Sequence, residues 1–157
     1  LQPAVYGGKS INVKPAPSVK FGVQLKIIVP LPSFLAADNQ ASYLFKNDSI
    51  VGHDQKNIGF ETPDKRYTYF GGNKNASTAE VCNNVNTNLK VNNDTYLNNL
   101  AKLIVDVWKN SFEHNKILIN AKYKFAGVST KVTTANTGIK NWTHYDIQST
   151  MVFTTMK

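Results

Sequence analysis

The feature that most constrains the fold is a broad apolar stripe at helical spacing between residues 96 and 112. Asp94 is a good N-cap for this helix, and polar residues occupy its opposite face. Burying the stripe against another layer contributes on the order of 10 kcal/mol before entropy is counted. The stripe comprises Tyr96, Leu97, Leu100, Leu103, Ile104, Val107, Trp108 and Phe112.

A second helix is predicted just before this stripe. Ser77 with Glu80 three residues later fits a capping box, and Val81, Val85 and Leu89 follow at helical spacing. A short polar segment separates the two predicted helices, so the prediction is a helix pair.

Alternating apolar and polar residues predict strands on both sides of the helices. The first covers residues 19–27, and two prolines close it with an edge or turn over 29–33. Later strands are predicted over 117–125 and from about 142 to 156, joined through 133–141 as a long hairpin.

The order of strands, helices and strands is typical of an α+β domain, with one antiparallel sheet and a helix pair packed on one face. Residues 1–17 are predicted to form an extended N-terminal arm or tether, and residues 18–157 a single domain. Residues 43–45 and 66–70 are weaker candidate strands. The polar segment 51–65 is expected to be a long surface loop with a functional role.

The residues that carry catalytic or metal chemistry are sparse. Cys82 is the only cysteine, which excludes an internal disulfide framework and a multi-cysteine metal site. His53, His114 and His144 have no second histidine at metal-ligand spacing, and neither a nucleophile elbow nor a phosphate-binding glycine loop occurs. We therefore predict no catalytic residue, no metal and no cofactor, with Cys82 acting as a small buried hydrophobe.

The positive charge is almost entirely lysine. The chain has 18 Lys plus Arg against 10 Asp plus Glu, and Arg66 is the only arginine. Proteins that grip phosphate favour the bidentate guanidinium fork, whereas lysine is a hydrated point charge, which argues against nucleic acid as the main partner. An AT-rich genome is an alternative source of the lysine and asparagine bias, because both residues have A-rich codons.

Lysines on two predicted strands form the first candidate binding surface. Lys20 and Lys26 alternate with apolar residues on the first strand, and Lys122 and Lys124 do so on the strand over 117–125. If these strands share a sheet, the four lysines line the face that the helices leave open. Such a basic face would attract an anionic partner. The alternative is a solvated face whose lysines prevent edge aggregation.

The second candidate set surrounds the single arginine. Arg66 is followed by Tyr67 and Tyr69, and aromatic faces pack against sugar C–H groups while an arginine fork suits a sugar carboxylate. The alternative is an edge strand whose tyrosines pack on the core. On the binding interpretation, Arg66→Ala abolishes binding of sialylated glycans and leaves the thermal midpoint nearly unchanged.

The start without methionine, the proline-rich arm and the Asn- and Lys-rich body resemble small secreted or outer-membrane-tethered surface proteins of AT-rich Gram-negative bacteria, some of which are adhesins for sialylated host glycans. The resemblance is one of composition and assigns no functional residue. It implies a secreted, outer-membrane or periplasmic location, with a lipid anchor before Leu1 as one form.

These observations together predict a non-enzymatic binding protein for an anionic glycan on a host cell surface, with sialic acid favoured. An envelope protein–protein interaction module is the alternative, and nucleic-acid binding is a third possibility.

Overall fold

The computed structural model describes residues 31–47, 52–90 and 95–156. In these ranges the elements are α1 (Leu31–Lys46), α2 (Pro63–Tyr69), β1 (Thr78–Lys90), α3 (Thr95–Asn110), α4 (Phe112–Leu118), β2 (Phe125–Asn136) and β3 (Trp142–Thr154). None of the helices in these ranges has the length and apolar character needed to cross a bilayer.

The three strands form one antiparallel sheet in the order β1-β3-β2. β2 and β3 form an antiparallel hairpin, with Phe125 opposite Thr154 at one end and Asn136 opposite Thr143 at the other. β1 pairs along the other side of β3, so β3 lies in the centre. The α+β class, the antiparallel sheet and the predicted C-terminal strand are therefore confirmed.

Helices α3 and α4 pack on one face of the sheet. Of the predicted helix pair only α3 is a helix, because the other member, over 77–89, is strand β1. Trp108 is 1% exposed and lies at the centre of this core. Phe112 does not extend the α3 stripe, because Ser111 caps a new helix there by accepting from the His114 backbone N–H, and Phe112 is exposed. The buried core consists of Val81, Leu100, Ile104, Trp108, Tyr145, Ile147 and Phe153.

Helices α1 and α2 cover the opposite face, so the expectation of an open basic face is wrong. Ala36, Ala37 and Tyr67 pack with Val152 of β3 in a second core. The sequence signal for α1 is a stripe of small and polar residues at spacings of three and four, which lacks the large side chains that normally mark a buried helix. Its buried residues are Ser33, Ala36, Ala37, Gln40, Ala41 and Leu44.

Four local predictions are corrected. Residues 43–45 belong to α1, as do residues 31–33 of the predicted turn, because Pro32 is tolerated in a first helical turn. Residues 66–69 belong to α2, which Thr62 begins as an N-cap. Residues 78–90 form strand β1 rather than a helix, because a four-residue apolar spacing fits both periods and the intervening asparagines are poor helix formers.

The predicted strand over 117–125 is also wrong. α4 continues to Leu118 and β2 begins at Phe125, so Lys122 and Lys124 lie in the connection between them. The predicted arm over 1–17 and the first strand, which carries Lys20 and Lys26, lie outside the described residues.

Candidate functional site

Arg66 of α2 is completely buried. Its side chain is 0% exposed and donates hydrogen bonds to the carboxylate Oε2 of Glu80 at 2.7 Å, to the Phe60 carbonyl at 2.8 Å and to the His53 carbonyl at 3.0 Å. The guanidinium thus joins α2, β1 and the segment before α2. A sugar carboxylate cannot reach an Arg66 held this way, so the predicted pairing of Arg66 with a ligand carboxylate is wrong.

Glu80 connects this ion pair to two further polar side chains. Its Oε1 lies 3.1 Å from His53 Nδ1 and accepts a hydrogen bond from Cys82 Sγ at 3.4 Å. The hydrogen bond to Glu80 raises the pKa of His53, with burial opposing it. Burial and the negative charge of Glu80 raise the pKa of the Cys82 thiol far above its usual range. Cys82 therefore remains protonated and unreactive at neutral pH.

The donor atoms of His53, Glu80 and Cys82 all lie within 4.8 Å of one another. Nitrogen, oxygen and sulfur donors are the types that Zn²⁺ accepts. The Arg66 guanidinium, however, already neutralises the same carboxylate at 2.7 Å, and burial disfavours the thiolate that a metal requires. The three side chains are suitable metal ligands by type, but the charge of Arg66 and the protonated thiol disfavour a metal ion. We therefore interpret the cluster as a buried ion pair covered by a titratable histidine.

Protonation of His53 should make the protein more stable at low pH. The pKa of His53 is higher in the folded protein than in the unfolded chain. The stabilisation that protonated His53 provides is therefore complete below pH about 6.5 and is lost as pH rises through the folded pKa. Because 47% of the side chain is exposed, we expect about 0.5–1 kcal/mol. Urea unfolding near pH 5.5 and pH 8.5 should show a larger difference between wild type and His53→Gln at the lower pH.

His114 provides a control of opposite sign. Burial, together with the nearby positive charge of His53, lowers the pKa of His114. The contribution of neutral His114 to the stability of the fold is therefore present above the unfolded pKa and is lost as pH falls. His114→Gln should therefore relieve part of the low-pH loss. A His53→Gln effect that is the same at both pH values contradicts the assignment.

The predicted aromatic residues separate onto different sides of α2. Tyr67 is 1% exposed and its hydroxyl donates to the Met156 carbonyl at 2.8 Å, so most of its ring belongs to the core. Tyr69 is 66% exposed and its ring centroid lies 4.4 Å from that of Phe60. Tyr69 is thus the aromatic side chain available to a ligand, while Tyr67 only borders a cleft.

Two clefts lie along α2 in the described part of the chain. The first, which we call the polar cleft, has a volume of about 600 Å³ and includes Lys74 and Lys122 in its lining. The second, the apolar cleft, has a volume of about 570 Å³ and includes Ile58 and Tyr69. Both clefts are lined by Asp64 and Thr68, which are one helical turn apart on α2. Asp64 and Thr68 thus form a ridge between the two clefts, and one ligand that crosses this ridge can contact both clefts.

The lysines of the connection after α4 have different roles. Lys122 lines the polar cleft and its Nζ lies 4.8 Å from the Tyr123 ring centroid. Lys124 instead donates from Nζ to the Ala121 carbonyl at 2.6 Å. The structure therefore brings Tyr67 and Lys122 to one cleft and leaves Lys124 outside it. Lys74 was missed, because only the tertiary structure brings the segment after α2 next to the one after α4.

A comparison with protein-family models matches residues 35–147 to the family described as CAP: Cysteine-rich secretory protein family. The match covers well over half of the chain, and the chain belongs to this family, although it has a single cysteine.

Among solved structures, the fold is similar to that of an outer surface protein from Borrelia burgdorferi, with a TM-score of 0.55 and 21% sequence identity. The alignment covers 83% of this chain and 78% of that chain, and at this identity it demonstrates a shared fold. No curated protein sequence matches the chain significantly.

Proposed function

We propose that the protein is a secreted or surface-exposed, non-enzymatic binding domain, and that an anionic glycan binds across α2. The location is supported by the secretory family and by the outer surface protein that shares the fold. The observation that carries the ligand is the pairing of a lysine-lined polar cleft with an aromatic-lined cleft across one helical ridge.

The chemistry of the two clefts suits the two parts of an acidic sugar. Lys74 and Lys122 supply positive charge and hydrogen-bond donors for a carboxylate. Tyr69 supplies an exposed aromatic face for the C–H groups of a neighbouring ring. Asp64 accepts a hydrogen bond from the Thr78 hydroxyl at 2.5 Å, which fixes the Asp64 carboxylate at the wall of the polar cleft.

The double variant Lys74→Ala/Lys122→Ala should weaken binding of sialylated glycans by more than about tenfold, since a hydrogen bond from a charged group contributes about 1.5–3 kcal/mol. The measurement is a glycan array with sialylated and desialylated versions of each glycan, followed by titration of the strongest ligand. The matched control is Lys90→Ala/Lys140→Ala, which removes the same charge from exposed lysines that do not line either cleft.

Equal weakening in the two double variants would show diffuse attraction to net positive charge and would contradict the assigned site. An array with no sialylated ligand would reject the glycan itself. If the array is blank and a pull-down from an envelope extract captures a defined protein, the envelope interaction module is the better assignment. The likeness in composition to surface proteins of AT-rich Gram-negative bacteria stays a prediction.

A further inference from the structure

We infer that a third cleft, which lies beside the C-terminal part of α1 and apart from the two clefts along α2, binds a neutral sugar ring. This cleft has a volume of about 280 Å³, enough for one ring rather than several. It is independent of the α2 clefts, because none of its lining residues lines either of them. Its lining in the described residues is Phe45, Asn84, Thr133, Asp146, Ile147 and Gln148.

The first observation is a buried acceptor without a partner on a residue that lines this cleft. Gln148 lies on the central strand β3 and is 6% exposed, yet its Oε1 is buried without a hydrogen-bond partner in the described residues. Asn84 and Lys131 are its neighbours on the two flanking strands. A buried acceptor without a partner destabilises the free protein, and a ligand hydroxyl that donates to Oε1 removes this loss. Gln148 therefore favours a ligand that carries a hydroxyl donor.

The second observation is the set of groups around that amide. Asp146 is an acceptor with a half-exposed carboxylate, Asn84 both donates and accepts, and Thr133 adds a hydroxyl. These groups form an array in which neighbouring sugar hydroxyls find both donors and acceptors. Phe45 of α1 lies at the same cleft and provides an apolar surface for the C–H face of a ring.

The charges around the cleft select a neutral ligand over an acidic one. Asp146 is the single charged residue in the described lining and it is negative. Lys131, which stands beside Gln148 on β2, is already paired with Asp38 of α1 at 2.8 Å. His144 Nε2 lies 3.9 Å from Asp146, too far for a hydrogen bond, so the carboxylate keeps its accepting capacity. An anionic sugar would meet this negative charge with no lysine in the described lining, whereas the polar cleft at α2 has Lys74 and Lys122 beside Asp64.

The test is a ¹⁵N NMR titration of the full chain with glucose, galactose, mannose and N-acetylglucosamine, each to about 50 mM, because a single ring binds in the millimolar range. At least one sugar should shift the backbone amides of Asn84, Asp146 and Gln148 in a saturating manner. Asp146→Asn keeps the shape of the side chain and should weaken the binding of that sugar by about tenfold, since hydrogen bonds to ionised groups are roughly twice as strong as those between neutral groups. Asp106→Asn, on α3, should leave the affinity unchanged.

Gln148→Met should abolish the same shifts, and its spectrum reports at once whether the variant is folded. If Gln148→Met does not fold, the Asp146→Asn titration decides alone. The absence of saturable shifts at the cleft with all four sugars overturns the inference, as does equal affinity of wild type and Asp146→Asn. Neither result affects the α2 proposal, which the lysine variants test separately.

Discussion

Replacing Arg66 with alanine is expected to lower the free energy of unfolding by about 3–5 kcal/mol, because it leaves a buried carboxylate without its counter-charge. Glu80 is 1% exposed, and its remaining partners are a half-exposed histidine and a protonated thiol. This reverses the expectation from sequence that Arg66→Ala leaves the thermal midpoint nearly unchanged. Urea and thermal unfolding at neutral pH measure the effect.

The neighbouring cation Lys65 gives a matched control. Its ion pair with Glu61 is largely exposed, and Lys65→Ala should change the free energy of unfolding by less than about 1 kcal/mol. The double variant Arg66→Met/Glu80→Leu should recover part of the loss, because an apolar pair removes both buried charges while the Phe60 and His53 carbonyls still lose their donor. An Arg66→Ala variant as stable as wild type would contradict the burial of this ion pair.

Gly127→Val is expected to lower the free energy of unfolding by about 3 kcal/mol or more, which is the upper end of the range typical of overpacking. A Cβ atom at Gly127 would lie 2.2 Å from the backbone nitrogen of Phe34 and 2.4 Å from the carbonyl carbon of Ser33. Both contacts are with the backbone of α1, which cannot move aside as a flexible side chain can. The variant should therefore displace α1 from the sheet, which denaturant unfolding and near-ultraviolet circular dichroism would detect.

Val128→Ala is the control on the adjacent residue. Val128 lies on the opposite face of β2 and is 44% exposed, so its truncation should change stability by less than about 1 kcal/mol. If Gly127→Val unfolds at the wild-type denaturant concentration, α1 does not lie as close to β2 as described.

The parts of the site differed in how far sequence could predict them. Thr62, Pro63 and Asp64 carry a helix-start signal that a search for caps would have found, because a threonine N-cap followed by proline and an acidic residue is typical of a first turn. No local pattern links Lys74 with Lys122, or Arg66 with Glu80. These pairs depend on how α2 and β1 are placed by the packing of α1 on the sheet.

The sequence by itself determined the elements whose large apolar side chains repeat with one clear period. The α3 stripe and the alternating β3 strand are of this kind, because burying such residues outweighs any local alternative. Only the tertiary structure decided the second helical layer, because α1 is buried through small residues whose close approach depends on Gly127 across from them. In that layer the arginine expected at the surface is buried in an ion pair with Glu80, and the polar and apolar clefts lie along α2.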